Sequence, residues 1–274
     1  MYKRWAVKRL VAKFYFVFSL FLAPATFSQD RDTVYVYQDK GVSKESLKQT
    51  VSTFQNLLKN YSVKTINAEK VKKGVWTKNA FLFVMPGGAD LPYVKKLNGK
   101  GNGVIKRYIT NGGSFLGICA GAYYGSSYVE FDKNGPLEVL GNRELGFFRG
   151  RAIGPILAPY DYKTQSGSRA ATIHTTLPNV KKTTVFYNGG GFFENADQYP
   201  NTMVIGRYDH GLPAIILIHC GKGKVLLSGV HFEYDPSLLN SENQHIQKII
   251  DPLREGNELR KVLCADLMTL IGAK

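Results

Sequence analysis

The chain has 274 residues, 44% of them hydrophobic and 21% charged, with 28 glycines and three cysteines. That length builds one large or two small domains with a sizeable core, and the balance excludes collagen-like, low-complexity and disordered chains. The formal net charge of +15 points to anionic partners, but the scattered Lys72-Lys73, Lys95-Lys96, Lys181-Lys182, Lys222 and Lys224 lack the aromatic interleaving of a specific nucleic-acid module.

Lys3, Arg4, Lys8, Arg9 and Lys13 precede an apolar run at 14–22 (FYFVFSLFL), which gives way to Ala23-Pro24-Ala25 and Thr26-Phe27-Ser28. A basic start, a short apolar core and small closing residues read as a secretory signal peptide over 1–28, cleaved after Ala25 or Ser28. The competing reading, an uncleaved anchor, needs ~20 apolar residues, and Pro24 closes this run early. A periplasmic or secreted chain with no transmembrane span is therefore expected, and losing those five basic residues leaves +10.

Residues 33–37 (TVYVY) alternate as a strand. Leu47, Val51, Phe54, Leu57 and Leu58 recur at helical spacing within 43–59. Strands are predicted at 62–66 and 80–85, the latter an unbroken apolar run typical of a buried parallel strand, ending in Pro86-Gly87-Gly88. A helix at 103–110 and a short strand at 114–118 follow. This alternation predicts an α/β fold: a doubly wound, mostly parallel sheet with helices on both faces. Beyond it, strands are predicted at 172–176, 183–187, 203–207, 214–219 and 224–227, with Gly221-Lys222-Gly223 as a hairpin turn. Helices are predicted at 241–250 and 252–271, divided at Asp251-Pro252. The expected organisation is one domain over 30–240 and a C-terminal helical extension over 241–274.

Cys119 stands at the end of a predicted parallel strand, where ligands of open α/β sheets bind. Gly117-Ile118-Cys119-Ala120-Gly121 has the spacing of a nucleophile elbow, with sulfur in place of a serine hydroxyl. The helix that follows aims its amino end at the sulfur, which favours thiolate. The alternative is a buried structural cysteine. His231, also at a strand end, is the candidate base, and Glu233 two residues on would fix its tautomer. Among the other histidines, His219 falls inside an apolar strand and is expected to be packed. Backbone N–H groups of Gly87, Gly88 and Ala120 are candidates for an oxyanion hole. Asn188 and Gly189, in 187–191 (YNGGG), read as a substrate pocket or as a wide turn. The cysteine spacing suits no zinc site, and no metal or cofactor is expected. It leaves Cys119 unpaired even if Cys220 and Cys264 bridge.

Segments 85–90 (MPGGAD), 117–124 (GICAGAYY), 129–131 (VEF), 145–148 (LGFF), 154–155 (GP), 187–191 (YNGGG) and 223–233 (GKVLLSGVHFE) occur in an order that resembles the class I glutamine amidotransferase-like superfamily. The form is most similar to the family of biotin–protein ligase N-terminal domains. The resemblance spans about 33–235. It implies a triad of Cys119, His231 and Glu233, with oxyanion donors Gly88 and Ala120. One departure is Phe232, where amidotransferases usually carry proline. A ligase catalytic domain does not follow within these 274 residues, and Arg149-Gly150-Arg151 is no adenylate-binding loop, so biotin transfer is not implied.

Two functions are expected to compete. One is an exported cysteine hydrolase acting on an amide or γ-glutamyl-type bond in a small-molecule or peptide-like substrate. The other is a non-catalytic binding module that keeps the fold and pocket. The basic surface adds an anionic envelope polymer as an expected partner for either.

Overall fold

The computed structural model describes Met1, Tyr2 and residues 31–274. The basic start and apolar run of the predicted signal lie outside the described residues. In chain order the elements are β1 (Thr33–Tyr37), α1 (Lys44–Leu57), β2 (Ser62–Ile66), α2 (Ala68–Lys73), β3 (Ala80–Met85), α3 (Asp90–Leu97), α4 (Lys100–Thr110), β4 (Ser114–Ile118), α5 (Ala120–Gly125), β5 (Ser126–Phe131), β6 (Val139–Asn142), β7 (Phe148–Gly154), β8 (Arg169–Thr175), β9 (Lys182–Tyr187), β10 (Phe192–Phe193), β11 (Thr202–Tyr208), β12 (Pro213–Cys220), β13 (Gly223–Ser228), α6 (Gln244–Gln247), α7 (Ile250–Glu255) and α8 (Asn257–Leu270).

A nine-stranded sheet runs in the order β2-β1-β3-β4-β13-β12-β11-β8-β9. The first five strands are parallel, and helices separate the strands of that half. From β13 outward the pairing is antiparallel, because β12 and β13 are joined by a tight turn at Gly221-Lys222, far too short for a parallel crossover. The fold is thus the expected doubly wound α/β sheet, with its parallel half carrying the candidate site.

Both faces of the sheet are covered, and the strands divide their side chains accordingly. Along β3, Leu82 and Val84 join the core beneath α1 and α8, with Phe54, Leu263 and Leu267. Phe83 and Met85 point the other way, among Tyr93, Ile105, Tyr108 and Tyr124 of α3, α4 and α5. Pleating sends successive side chains to opposite faces, so a strand buried on both must be apolar throughout.

A second sheet of four strands, ordered β10-β7-β5-β6, was not foreseen. In β7 the buried positions fall on Phe148, Gly150, Ala152 and Gly154, while Arg149 and Arg151 point outward. Two glycines fill inward slots, which hides the alternation from a reading of hydrophobicity.

The C-terminal segment 241–274 packs back onto the large sheet. Leu263, Leu267, Met268 and Ile271 are all buried in its core. The helix break falls at Gly256, between α7 and α8, and not at Pro252, which is the third residue of α7. There its missing N–H removes no intrahelical bond. The compatible Cys220–Cys264 pairing does not form, and all three cysteines are free. Among the described residues no helix is long and apolar enough to cross a membrane.

Candidate active site

Cys119 is the residue between β4 and α5, with φ 52° and ψ −110°. A positive φ on a residue with a side chain is strained and persists only where the surroundings enforce it. Here the enforcement is close packing of α5 on the sheet. A Cβ added to Gly121 would overlap the Met85 carbonyl, and one on Gly117 would overlap the Gly121 carbonyl. The sulfur therefore projects from a sharp turn at the carboxyl end of β4. It is 8% exposed and lies 3.7 Å from the Asn188 carbonyl oxygen.

His231 follows β13, the neighbour of β4, and its N–H donates to the Phe186 carbonyl at 2.8 Å. Its Nδ1 meets Glu233 Oε1 at 2.9 Å, and both side chains are buried. The other side of the imidazole turns toward the sulfur. A Cβ added to Gly87 would sit 2.7 Å from His231 Cε1 and 3.4 Å from Cys119 Cβ, so the two side chains flank one glycine. Burial pulls the imidazole's pKa down. The Glu233 charge, the neighbouring Cys119 and the hydrogen bond to Glu233 outweigh it and hold the pKa up at about 10. Segments distant in sequence thus bring Cys119, His231 and Glu233 together in the expected order.

The short segment from Phe232 to Asp235 is held from both sides. Arg260 Nη1 and Cys264 Sγ of α8 reach the Phe232 carbonyl at 2.9 and 3.1 Å. From α1, Thr53 Oγ1 donates to the Glu233 carbonyl at 2.6 Å, and Gln49 Oε1 accepts the Asp235 N–H at 2.8 Å. Burial pushes the Cys264 thiol up to about 12, so it stays a donor. Phe232 itself is fully buried in the core, which accounts for an apolar residue there. Arg260 and Cys264 were not found from sequence. An arginine on an amphipathic helix reads as a surface residue, and nothing local signals what it reaches.

The two glycines after β3 play different parts. The Gly87 N–H donates to Ser46 Oγ at 2.8 Å and is not free to bind a ligand. Gly88 has φ 146°, and a Cβ there would overlap the Gly41 carbonyl. Its N–H has no acceptor among the described residues. Ala120 opens α5, so its N–H lacks an intrahelical partner too. α5 is only six residues long, so positive charge near the sulfur comes chiefly from the protonated imidazole and only slightly from the helix dipole.

A cavity of about 210 Å³ opens beside the sulfur. Gly87, Gly88, Cys119, Asn188 and His231 line it, with Glu45, Ser46, Gln165, Tyr234 and Asn243 completing a largely polar wall. Asn188 is tied through Nδ2 to Gln165 at 3.0 Å, while its Oδ1 is buried without a partner. Gly189 lines a smaller, adjoining aromatic recess with Tyr123, Phe131 and Tyr160, which shares Gly88, Cys119 and Asn188 with this cavity.

An elbow cysteine, a buried His–Glu pair and a doubly wound sheet define an amidotransferase-like α/β domain. The family model described as "Biotin-protein ligase, N terminal" matches residues 32–274, and the chain belongs to that family. It is 36% identical over 222 residues to an uncharacterized protein of Chlamydia muridarum (strain MoPn / Nigg), covering 78% of this chain and 85% of that one. It is 35% identical over 212 residues to the biotin–protein ligase of Schizosaccharomyces pombe (strain 972 / ATCC 24843), covering 73% of this chain and 33% of the ligase. The chain therefore spans about a third of that ligase. Among solved structures, a putative ThuA-like protein from Bacteroides uniformis superposes with a TM-score of 0.51 at 10% identity, covering 89% of this chain and 93% of that one. That likeness is one of fold.

Proposed function

We propose that this protein is an exported cysteine hydrolase acting on a carboxamide or γ-glutamyl-type bond in a small-molecule or peptide-like substrate. The observation that carries the reading is the placement of His231, with one face on Glu233 and the other on the Cys119 sulfur. Cys119 Sγ, its proton already resting on His231 Nε2, attacks the carbonyl carbon. The Gly88 and Ala120 N–H groups hold the oxyanion. His231 returns the proton to the leaving amine, the C–N bond breaks, and a thioester remains. Water, deprotonated by His231, then attacks the thioester; the C–S bond breaks, the carboxylic acid leaves, and the resting Cys119–His231 pair is restored with the proton on the imidazole. Glu233 fixes the imidazole with its proton on Nδ1 when neutral. The proposal includes cleavage of the leader after Ala25 or Ser28, and attraction of the basic surface to an anionic envelope polymer. The amino-terminal residue of protein recovered outside the cytoplasm tests the first, and salt-sensitive retention on such a polymer the second.

The decisive experiment uses an electrophilic glutamine analogue with peptide mass spectrometry. Cys119 is expected to be labelled quickly in the wild type, and roughly a hundredfold or more slower in His231→Ala, given the ordinary contribution of a general base. Slow labelling that ignores His231 overturns the hydrolase and leaves the binding module.

A further inference from the structure

At the other end of the parallel strands, away from Cys119, a cleft of about 490 Å³ lies between α4, the second sheet and the end of β12. Lys106, Arg149 and His219 stand around it. No carboxylate lines it among the described residues. None of the three pairs with a carboxylate among the described residues, although exposed cations elsewhere, such as Arg151, Lys133 and Lys261, do. Nor does any of their side chains make a hydrogen bond to another described residue. His219, expected to be packed, is exposed at the end of β12. Leu145, Phe147 and Ile218 form a buried apolar floor.

The partly buried Cys220 thiol is in the wall. Lys106 and Arg149 line the same cleft as Cys220; burial pushes the thiol's pKa up and their charges pull it the other way. Positive groups gathered around a concave, partly apolar surface concentrate anions from solution. A guanidinium offers paired donors to phosphate or carboxylate, and an ammonium adds a point charge.

We propose that this cleft is a second ligand site, taking a small phosphate monoester or carboxylate with an apolar or ring-bearing body. The anionic head would lie between Arg149 and Lys106 and the body on Leu145 and Phe147. The site is separate from the hydrolytic reading and does not depend on it.

Cys220 supplies the readout. Iodoacetate and iodoacetamide alkylate thiols by the same displacement of iodide, but only the first is an anion. On the full chain, peptide mass spectrometry is expected to show Cys220 favouring iodoacetate by roughly tenfold relative to the urea-unfolded protein, the low end of electrostatic focusing in a charged cleft. Arg149→Gln and Lys106→Gln should each reduce that preference and together abolish it. Cys119 labelling, read in the same digests, should be unchanged and reports that the variants are folded. Phenyl phosphate or benzoate should slow alkylation of Cys220 while phenol does not, and the better protector identifies the head group. A preference equal to that of the unfolded chain overturns the proposal. So does a preference that survives the double substitution, equal protection by phenol, or no protection by either anion.

Discussion

Replacing Arg260 with alanine would remove a buried guanidinium from beneath the proposed catalytic segment. Arg260 is 2% exposed and donates to the Phe232 carbonyl at 2.9 Å and to Asn257 Oδ1 at 2.8 Å. It also faces Asp235 at 3.8 Å, a partner 28% exposed. Hydrogen bonds involving a charged group contribute about 1.5–3 kcal/mol each. The Asn257 bond is local to one helical turn, and the Asp235 pair is partly solvated and adds under ~1 kcal/mol. The expected loss is roughly 3 kcal/mol in urea unfolding. Because Phe232 lies between His231 and Glu233, releasing its carbonyl should also slow electrophile labelling of Cys119. A displacement of ~1 Å at a reacting group costs on the order of a hundredfold. Arg260→Lys, which keeps a charged donor, should recover part of both effects. A loss below ~0.5 kcal/mol, within the range of ordinary surface substitutions, together with wild-type labelling, would refute the idea that α8 positions the pair.

Raising the pH should weaken the fold through His231. Its folded pKa of about 10 exceeds its ordinary value of 6.5, so the proton's stabilising contribution is complete below about pH 6.5 and is lost as pH approaches 10. Cys119→Ala removes one cause of that shift, and the fall in urea stability across this window should then be shallower than in the wild type. Gly121→Ala forces α5 away from the Met85 carbonyl; the expected outcome is a loss of about 1–3 kcal/mol with near-complete loss of Cys119 labelling, both read on the same samples. Ser46→Ala strands the Gly87 N–H and should cost about 1–3 kcal/mol in denaturant unfolding, whereas Ser46→Thr, which keeps the acceptor oxygen, should cost less.

The parallel half of the sheet could be read from sequence because β3 and β4 are apolar on both faces and end in glycine-flanked turns. Cys119 and His231 were legible for the same reason: each is the first distinctive side chain after such a strand. Where the reading failed, tertiary partners decide the matter. Gly150 and Gly154 occupy buried slots of β7 and leave no apolar alternation to detect. Asp90-Leu91-Pro92 opens α3, yet so close to Pro86-Gly87-Gly88 it resembles a continuing loop. Which glycine N–H stays available was not visible either, because it depends on Ser46, forty-one positions earlier in the chain.

The anchoring of residues 232–235 by Thr53 and Gln49 of an early helix, and by Arg260 and Cys264 of one more than two hundred positions later, ties competence to the packing of α8. A chain cut short before its last helix would still contain every strand of the large sheet, yet its imidazole and carboxylate would lack half their scaffold. Such a fragment should be inert toward electrophiles however well its strands assemble. Nascent or clipped molecules would then remain silent, and the thiol would acquire its partner only once α8 has packed.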